Sequence, residues 1–312
     1  MRELLYFDNE PIVKQVDKLK TRVRKAQMGL RIDRLATLYV ADPLRRFSFN
    51  SKGSIPILMY HSIADDDETR VHPYYRTATA AMVFASQMEN LHQSGFSVID
   101  PSEAVRRFSE PGIAKKSVVI TFDDGFRNFY TTAFPILNRY GFTATVYLAT
   151  AYIGQLRLSF KGKECLTWNE VRELRKHGIS FGSHTVTHPQ LHDCNASVLK
   201  KEVADSKRTI EEQLGYAVHS FAYPYAFPET DANFKTRLRE ELRNAGYENG
   251  VCTTVGRPGL RSDPFFLKRL PINSDDDARL FRAKLAGSYD WLAKPQYLLK
   301  MAKEWRNTVS RQ

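Results

Sequence analysis

The sequence contains little cysteine and no long hydrophobic run. Its 312 residues include three cysteines, Cys165, Cys194 and Cys252, and no two of them form a Cys-x-x-Cys pair. An odd number of widely spaced cysteines argues against a disulfide framework and against a cysteine-based zinc site. Because no stretch of roughly 18 or more apolar residues occurs, the sequence also predicts no transmembrane helix.

An apolar export signal is also missing from the first residues. The segment MRELLYFD carries acidic side chains where a secretory signal peptide would be apolar, so we expect a cytoplasmic protein. The formal net charge of +11 attracts phosphates, nucleic acid, anionic lipid headgroups or acidic glycans, although such a charge can simply keep a protein in solution. No recognisable nucleic-acid-binding motif accompanies the charge, so we expect no nucleic-acid partner.

Basic residues are concentrated in residues 1–50, which the sequence predicts to be a helical extension. They alternate with apolar residues in a pattern typical of an amphipathic helix. The basic members are Lys14, Lys18, Lys20, Arg22, Arg24, Lys25, Arg31 and Arg34. Two interpretations stay open: a solvated helix packed on the main domain, or a peripheral contact with an anionic membrane at its inner face.

Short apolar runs alternate with helical patterns from residue 55 onward. The predicted strands cover residues 55–60, 96–99, 117–122, 144–149, 179–182, 219–222, 250–254 and 266–270. Helical spacing indicates helices over 79–92, 127–140, 167–177 and 197–214. Such units favour about seven to eight parallel strands in an α/β fold, a distorted or incomplete (β/α) barrel over residues 51–292. We expect a helical tail over 293–312, and solvated loops at the acidic runs 65–68 and 275–277.

Polar side chains follow four of the predicted strands at the point where each strand ends. His61 follows the first strand, and Asp123-Asp124 follow the strand over 117–122. His184 and His188 follow the strand over 179–182, and Tyr223-Pro224-Tyr225 follow the strand over 219–222. In a (β/α) barrel the functional residues lie at the carboxyl ends of the strands. These four strand ends therefore supply groups suited to metal-assisted hydrolysis.

The histidine pair and the aspartate pair are more informative together than apart. Two histidines four residues apart can direct both imidazoles to one ion, but His184 and His188 could also be ordinary loop histidines. Two adjacent acids after an apolar strand cost solvation free energy unless a cation or a metal compensates them. A helix N-cap would explain one of Asp123 and Asp124, and it would leave the second unexplained.

Three segments carry a specific resemblance. Thr121-Phe122-Asp123-Asp124-Gly125 resembles the first signature of the polysaccharide deacetylase (NodB-homology) family. Ser183-His184-Thr185-Val186-Thr187-His188 resembles its metal-binding histidine motif, and Phe221-Ala222-Tyr223-Pro224-Tyr225 resembles its third motif. The similarity covers roughly residues 55–290. Ile57-Leu58-Met59-Tyr60-His61 looks like the opening of a branch that includes the biofilm poly-N-acetylglucosamine deacetylases.

The resemblance implies a role for each matching position. Asp124, His184 and His188 would bind one divalent metal ion, Zn²⁺ first and Co²⁺, Ni²⁺ or Fe²⁺ as alternatives. Asp123 would be the general base. The backbone N–H of Tyr225 would help to stabilise the oxyanion, and His61 would be the general acid.

The sequence departs from the family pattern in two places. Many members have an arginine in the third motif, where this chain has Ala222-Tyr223-Pro224. Many also have a histidine in a late Leu-x-His motif, where this chain reads LKRLPI over residues 267–272. His61 fills the acid role in this interpretation. Arg269 could supply the missing positive charge beside Asp123 or be an ordinary arginine at the surface or core edge, and we assign Arg269 and Tyr223 to substrate binding.

The predicted function is therefore metal-dependent hydrolysis of an N-acetyl or similar N-acyl group on an amino sugar, with release of acetate. The expected partner is an N-acetylated glycan or a lipid- or nucleotide-linked sugar. Two alternatives stay open. The same scaffold could hydrolyse a non-sugar amide or cyclic imide, or the chain could be a non-catalytic relative that binds glycan or lipid.

Overall fold

The computed structural model describes residues 31–47, 53–66, 68, 70–108 and 116–309 of the chain. Within them, eight strands form one parallel sheet: β1 (Ile57–Tyr60), β2 (Ser97–Ile99), β3 (Ser117–Phe122), β4 (Thr145–Leu148), β5 (Ser180–Ser183), β6 (Ser220–Ala222), β7 (Asn249–Val255) and β8 (Leu267–Pro271). Two short strand pairs lie outside this sheet, Ser62–Ile63 with Ala78–Thr79 and Ser159–Phe160 with Lys163–Glu164. Every predicted strand has a counterpart whose ends lie close to the predicted ones.

Seven of these strands close a barrel. The order around the ring is β1, β8, β7, β6, β5, β4 and β3, and β3 pairs again with β1 from Ile57–Val119 to Tyr60–Phe122. β2 pairs with the first half of β3, and β1 pairs with the second half of β3 along the same edge. The prediction of a (β/α) barrel is confirmed. Because all the strands run in one direction, their carboxyl ends meet at one end of the barrel.

Helices surround the barrel. Their bounds are α1 (Ile32–Ala36), α2 (Asp42–Phe47), α3 (Ala81–Gln93), α4 (Pro101–Phe108), α5 (Phe134–Arg139), α6 (Trp168–Lys176), α7 (Ala196–Leu214), α8 (Ala232–Asn244), α9 (Ala278–Ala286) and α10 (Ala293–Val309). Two π-helical turns, Thr37–Ala41 and Phe129–Ala133, continue into α2 and α5. α6 begins at a capping box, in which Thr167 and Glu170 each bond the other's backbone N–H. In the described part of the chain, no helix combines the length and the apolar character needed to cross a bilayer.

The interior of the barrel changes from apolar to polar toward the carboxyl ends of the strands. β3, with the sequence SVVITF, is buried along its whole length, as expected for a strand covered on both faces. Side chains alternate along it, so Val119 joins the inner apolar cluster together with Leu267 of β8. Thr121 and Asp123 continue the face of Val119, and Arg269 continues the face of Leu267. The strand period therefore places a carboxylate and a guanidinium on top of an apolar layer.

The described part of the N-terminal extension packs on the barrel domain. Leu38 is buried, the Tyr289 hydroxyl donates to Asp33 at 2.6 Å, and the Trp291 indole donates to Thr37 at 3.0 Å. The basic residues between Lys14 and Lys25 lie outside the described residues. The domain limits at residues 50 and 292 therefore stay predictions, although α10 does occupy most of the predicted tail.

The expectation that the acidic runs are solvated is wrong for Asp276, and a second member, Glu68, is only partly exposed. Asp276 is fully buried and lies 2.8 Å from the ammonium of Lys284, which is also buried. Glu68 accepts hydrogen bonds from the backbone N–H groups of Thr77 and Ala78. Both acids fix loops at the carboxyl end of the barrel. Lys284, Thr77 and Ala78 lie eight or more residues away in the chain from the acids that they hold, so the acidic run itself does not reveal this role.

Candidate active site

The structure brings the three predicted metal ligands together. The Asp124 Oδ1 atom lies 3.6 Å from His184 Nε2 and 3.2 Å from His188 Nε2. One candidate ligand atom from each residue lies within 4.8 Å of the others, and all three residues are buried. They come from the loops after β3 and β5, so the barrel closes a gap of about sixty residues in sequence.

The atoms at this cluster fit a divalent cation. Asp124 Oδ1 is buried and has no hydrogen-bond partner, which is costly for a carboxylate oxygen that no cation compensates. His184 Nδ1 lies 2.8 Å from the Ala222 carbonyl oxygen, so Nδ1 donates and Nε2 keeps its lone pair toward Asp124. Burial lowers the pKa of His184 to about 4, and the imidazole is therefore neutral at neutral pH. Neutral imidazoles and a carboxylate are ligands that zinc and similar ions accept.

Backbone strain is concentrated at the same place. In the described part of the chain, five non-glycine residues have positive φ angles, and all of them lie around the cluster: Asp124, Lys161, Thr185, His188 and Tyr225. Such conformations cost about 1–3 kcal/mol each and persist only where the surroundings impose them. Two of the five are predicted metal ligands. Directing these side chains to one point therefore lowers the stability of the fold.

Asp123 is held by a buried arginine. Arg269 donates to both Asp123 carboxylate oxygens at 2.7 Å, to Thr121 Oγ1 at 3.2 Å and to the Cys252 carbonyl at 3.1 Å. Burial by itself would raise the pKa of Asp123, but the charge and hydrogen bonds of Arg269, together with the nearby His184 and His61, hold that pKa below its usual value. Arg269 therefore lies beside Asp123 as one interpretation expected. Arg269 is fully buried, and its assignment to substrate binding stays a prediction.

The remaining predicted residues lie in different environments. His61 Nε2 lies 3.9 Å from Asp123 Oδ2, and burial lowers the His61 pKa. Tyr225 is 46% exposed, and its ring centroid lies 4.5 Å from that of His188. Tyr223 instead is buried against Phe227, and its assignment to substrate binding stays a prediction. Its ring belongs to the core under α8.

Sequence analysis missed a carboxylate that fixes the histidine loop. Glu202, a buried residue of α7, accepts hydrogen bonds from the backbone N–H of Val186 at 2.8 Å and of Thr187 at 2.9 Å. It also accepts from the Thr187 hydroxyl at 2.7 Å. Glu202 lies on the apolar face of a predicted helix, and this position could have indicated its role. A buried carboxylate requires hydrogen-bond partners.

Replacing Glu202 with glutamine is expected to weaken metal binding about 10- to 100-fold, because outer groups that orient ligands have effects of this size. Glutamine keeps the shape but loses the charge that holds two N–H groups of the loop. Competition with a chromogenic chelator measures the dissociation constant. Glu212→Gln, an exposed change on the same helix, is the matched control. Equal affinity in the Glu202 and Glu212 variants would show that the loop holds its shape without this carboxylate.

Comparison with known proteins shows which family this chain is similar to. The family model described as polysaccharide deacetylase matches residues 112–250, which include Asp123, Asp124, His184 and His188. This part of the chain is similar to the polysaccharide deacetylase family. The resemblance drawn from the three motifs is thereby confirmed, and so is the expected enzyme class, a hydrolase that deacetylates carbohydrate.

Relatives of this deacetylase match most of its length. The Bacillus subtilis protein YxkH, whose name places it among the polysaccharide deacetylases, is 29% identical over 230 residues, or 73% of this chain and 75% of that protein. The poly-β-1,6-N-acetyl-D-glucosamine N-deacetylase of Staphylococcus aureus is 24% identical over 251 residues, or 75% of this chain and 83% of that protein.

Solved structures share the fold of this deacetylase. The Streptococcus pyogenes deacetylase PplD, solved in complex with acetate, has a TM-score of 0.65 and 27% identity, covering 74% of this chain and 98% of that one. IcaB from Ammonifex degensii has a TM-score of 0.59 and 24% identity, covering 75% of this chain and 97% of that one. Both comparisons agree with the closed barrel described above.

Proposed function

We propose that this deacetylase removes N-acetyl groups from amino sugars in a glycan or a glycan precursor, with the help of one divalent metal ion. The observation that carries the proposal is the convergence of Asp124, His184 and His188 beside the Asp123–Arg269 pair. The name of the Staphylococcus aureus relative, an N-deacetylase of poly-N-acetylglucosamine, supports the choice of an amide rather than an ester.

Asp124, His184 and His188 would hold the ion, with Zn²⁺ as the first candidate and Co²⁺, Ni²⁺ or Fe²⁺ as the others. A bound divalent ion lowers the pKa of a ligating water and polarises a carbonyl oxygen. Among the histidine, cysteine, aspartate and glutamate side chains of the described residues, these three converge, so they would leave part of the ion open to water and substrate. Such an open site is typical of catalytic rather than structural metal centres.

Asp123 accepts a proton from the attacking water in this proposal. A general base must be ionised before the reaction, and Arg269 keeps the Asp123 carboxylate ionised by its charge. The two parallel hydrogen bonds also fix the plane of the carboxylate. Arg269 is thus a positioning residue, because it acts on the reaction through Asp123.

His61 and Tyr225 complete the chemistry around the amide. The Tyr225 backbone N–H donates to the oxygen that gains negative charge when water adds to the carbonyl. His61, in its protonated form, gives a proton to the departing sugar nitrogen. The Asp123 carboxylate, 3.9 Å from the imidazole, favours that protonated form, although burial opposes it.

The pH dependence of kcat/KM is expected to report His61. Since the acid must be protonated and its pKa lies below the usual histidine value, activity should fall as pH rises through that lowered pKa. His61→Asn should lower kcat by about 10²–10⁴-fold and remove this fall from the profile. His92→Asn, a change on α3 outside the site, serves as the control. A His61→Asn enzyme with the wild-type profile would assign the proton donor elsewhere.

The substrate within the class of N-acetylated sugars is a further part of the proposal. A polymer, a lipid-linked sugar and a nucleotide-linked sugar all present the acetamido group that this site would accept. The cytoplasmic location and the contact with an anionic membrane stay predictions from the sequence.

The decisive experiment combines metal analysis with acetate release. Purified protein is analysed for bound metal, stripped with a chelator, and reloaded with Zn²⁺, Co²⁺, Ni²⁺ or Fe²⁺. Each form is then tested on N-acetylated oligosaccharides and, for comparison, on small cyclic imides. We expect acetate release from the sugars by the loaded forms only. Activity confined to cyclic imides, or full activity in the stripped protein, would overturn the proposal.

A further inference from the structure

A short hairpin covers one side of the site. Its strands are Ser159–Phe160 and Lys163–Glu164, and its turn is Lys161-Gly162. Phe160 is buried, with its ring centroid 4.2 Å from that of Tyr152 and 5.1 Å from that of His188. The following residues bond to the aspartate loop, since Leu166 N–H donates to the Gly125 carbonyl at 2.8 Å. The hairpin therefore has a fixed position relative to the predicted metal ligands.

Lys161 extends from the tip of this hairpin across the mouth of the site. Its ammonium lies 3.6 Å from Asp124 Oδ2, whereas the two imidazoles approach the other oxygen, Oδ1. It also lies 4.6 Å from the ring centroid of Phe160 and 5.2 Å from that of Tyr225. The side chain is nevertheless 44% exposed, so its charge is open to solvent.

The backbone at this tip favours a different residue type. Lys161 and Gly162 both have positive φ angles, 50° and 76°, as the two central residues of a type I′ turn do. Asparagine, aspartate or glycine fits the first of these positions with less strain than lysine. A lysine at this position is therefore a costly choice for the turn itself, which points to a use for its ammonium group.

The other charges of the site already have partners. Arg269 is neutralised by its two hydrogen bonds to Asp123. Among the described residues, Asp124 is the carboxylate that pairs with Lys161, and the same carboxylate would be shared with a bound metal ion. Lys161 is then a half-exposed cation whose carboxylate partner also faces the two histidines, in a protein whose net charge of +11 attracts anions.

We propose that Lys161 selects substrates that carry an anionic group next to the N-acetylated sugar. The inference rests on the proposed N-deacetylase function and names the substrate class within it. The anion can be a uronate on the neighbouring sugar or a phosphate on the anomeric carbon, since both would pair with an exposed ammonium. Lys161 is thus a specificity residue at the mouth of the site, distinct from the groups that handle the reacting atoms.

The test compares anionic with neutral N-acetylated substrates. The substrates are a hyaluronan tetrasaccharide for the carboxylate, UDP-N-acetylglucosamine for the phosphate, and N-acetylated chitotetraose as the neutral reference. We expect Lys161→Met to lower the ratio of kcat/KM on the anionic substrates to that on chitotetraose by about fivefold, roughly the value of one charge pair in water. Lys161→Arg should restore the ratio, and added salt should reduce it in the wild type.

Lys163→Met is the matched control, because Lys163 lies on the same hairpin and pairs with Asp66 instead. An unchanged ratio in Lys161→Met, or an equal fall in Lys163→Met, would overturn the proposal. If the ratio changes with just one of the two anionic substrates, that substrate shows whether Lys161 recognises the carboxylate or the phosphate. Calorimetric affinities of the same compounds give a second ratio that needs no turnover. The ratio of affinities tests the role of Lys161 even if no acetate is released. A lack of acetate release would count against the proposed N-deacetylase function and not against the role of Lys161.

Discussion

Replacing Asp123 with asparagine is expected to lower kcat by about 10²–10⁴-fold while the protein still binds its metal. Asparagine has nearly the same shape, but it cannot take a proton from water. The metal ligands proposed here are Asp124, His184 and His188, so the ion should stay in place. Acetate release in the steady state measures the rate, and elemental analysis measures the metal. A variant that works at close to the wild-type rate would exclude Asp123 as the base.

The Asp123→Asn variant also leaves the buried guanidinium of Arg269 without its counter-charge. Removing one partner of a buried pair commonly costs about 3–5 kcal/mol of folding stability. The rate must therefore be compared at a temperature and denaturant concentration where unfolding curves show the variant to be folded. A folded, metal-bound and inactive protein is the expected combination, and it separates a lost base from a lost fold.

Replacing His184 with alanine is expected to remove the metal and, with it, the activity. The imidazole supplies one of three converging ligand atoms. Its Nδ1–H donates to the Ala222 carbonyl, so Nε2 keeps the lone pair that can bind a metal ion. A site that keeps one imidazole and one carboxylate should hold less than a tenth of the metal retained by the wild type after dialysis against a chelator, on the order of the loss that even outer-shell changes cause. Elemental analysis measures the occupancy.

His219→Ala is the control for the histidine experiment. His219 is an exposed residue before β6, at the opposite end of the barrel, and it pairs with Glu248 at 2.9 Å. It should keep both metal and activity. Full metal occupancy in His184→Ala would exclude this residue as a ligand and would require another set of donors for the ion.

The predictions for Asp123 and His184 differ because the fold separates two functions within one small volume. Asp124, with a positive φ angle, turns its carboxylate toward the histidine loop. Asp123 continues the inward face of β3 and meets Arg269 from β8. Two adjacent acids thus have different partners, a metal cluster for one and a guanidinium for the other. Their roles can be tested separately by single substitutions.

Sequence patterns were sufficient for the strands and for the residues at their ends. The run SVVITF is apolar because parallel strands in a barrel are covered on both faces, and so it could be recognised without a structure. The three motifs likewise named the residues that the barrel brings together. Helices α4, α8 and α9 were not indicated, because short amphipathic helices bury few residues; α8, for example, buries Phe234, Leu238 and Leu242.

The sequence by itself determined the barrel, the Asp–His–His cluster and the family, since each depends on local periodicity or on short motifs. Only the tertiary structure decided which partner each side chain has. It placed Arg269 on Asp123, buried Tyr223, fixed the histidine loop with Glu202 and brought Lys161 next to Asp124. These contacts join residues that are far apart in the chain. Charge pairing and burial depend on distances in the folded structure, and a local sequence pattern does not contain those distances.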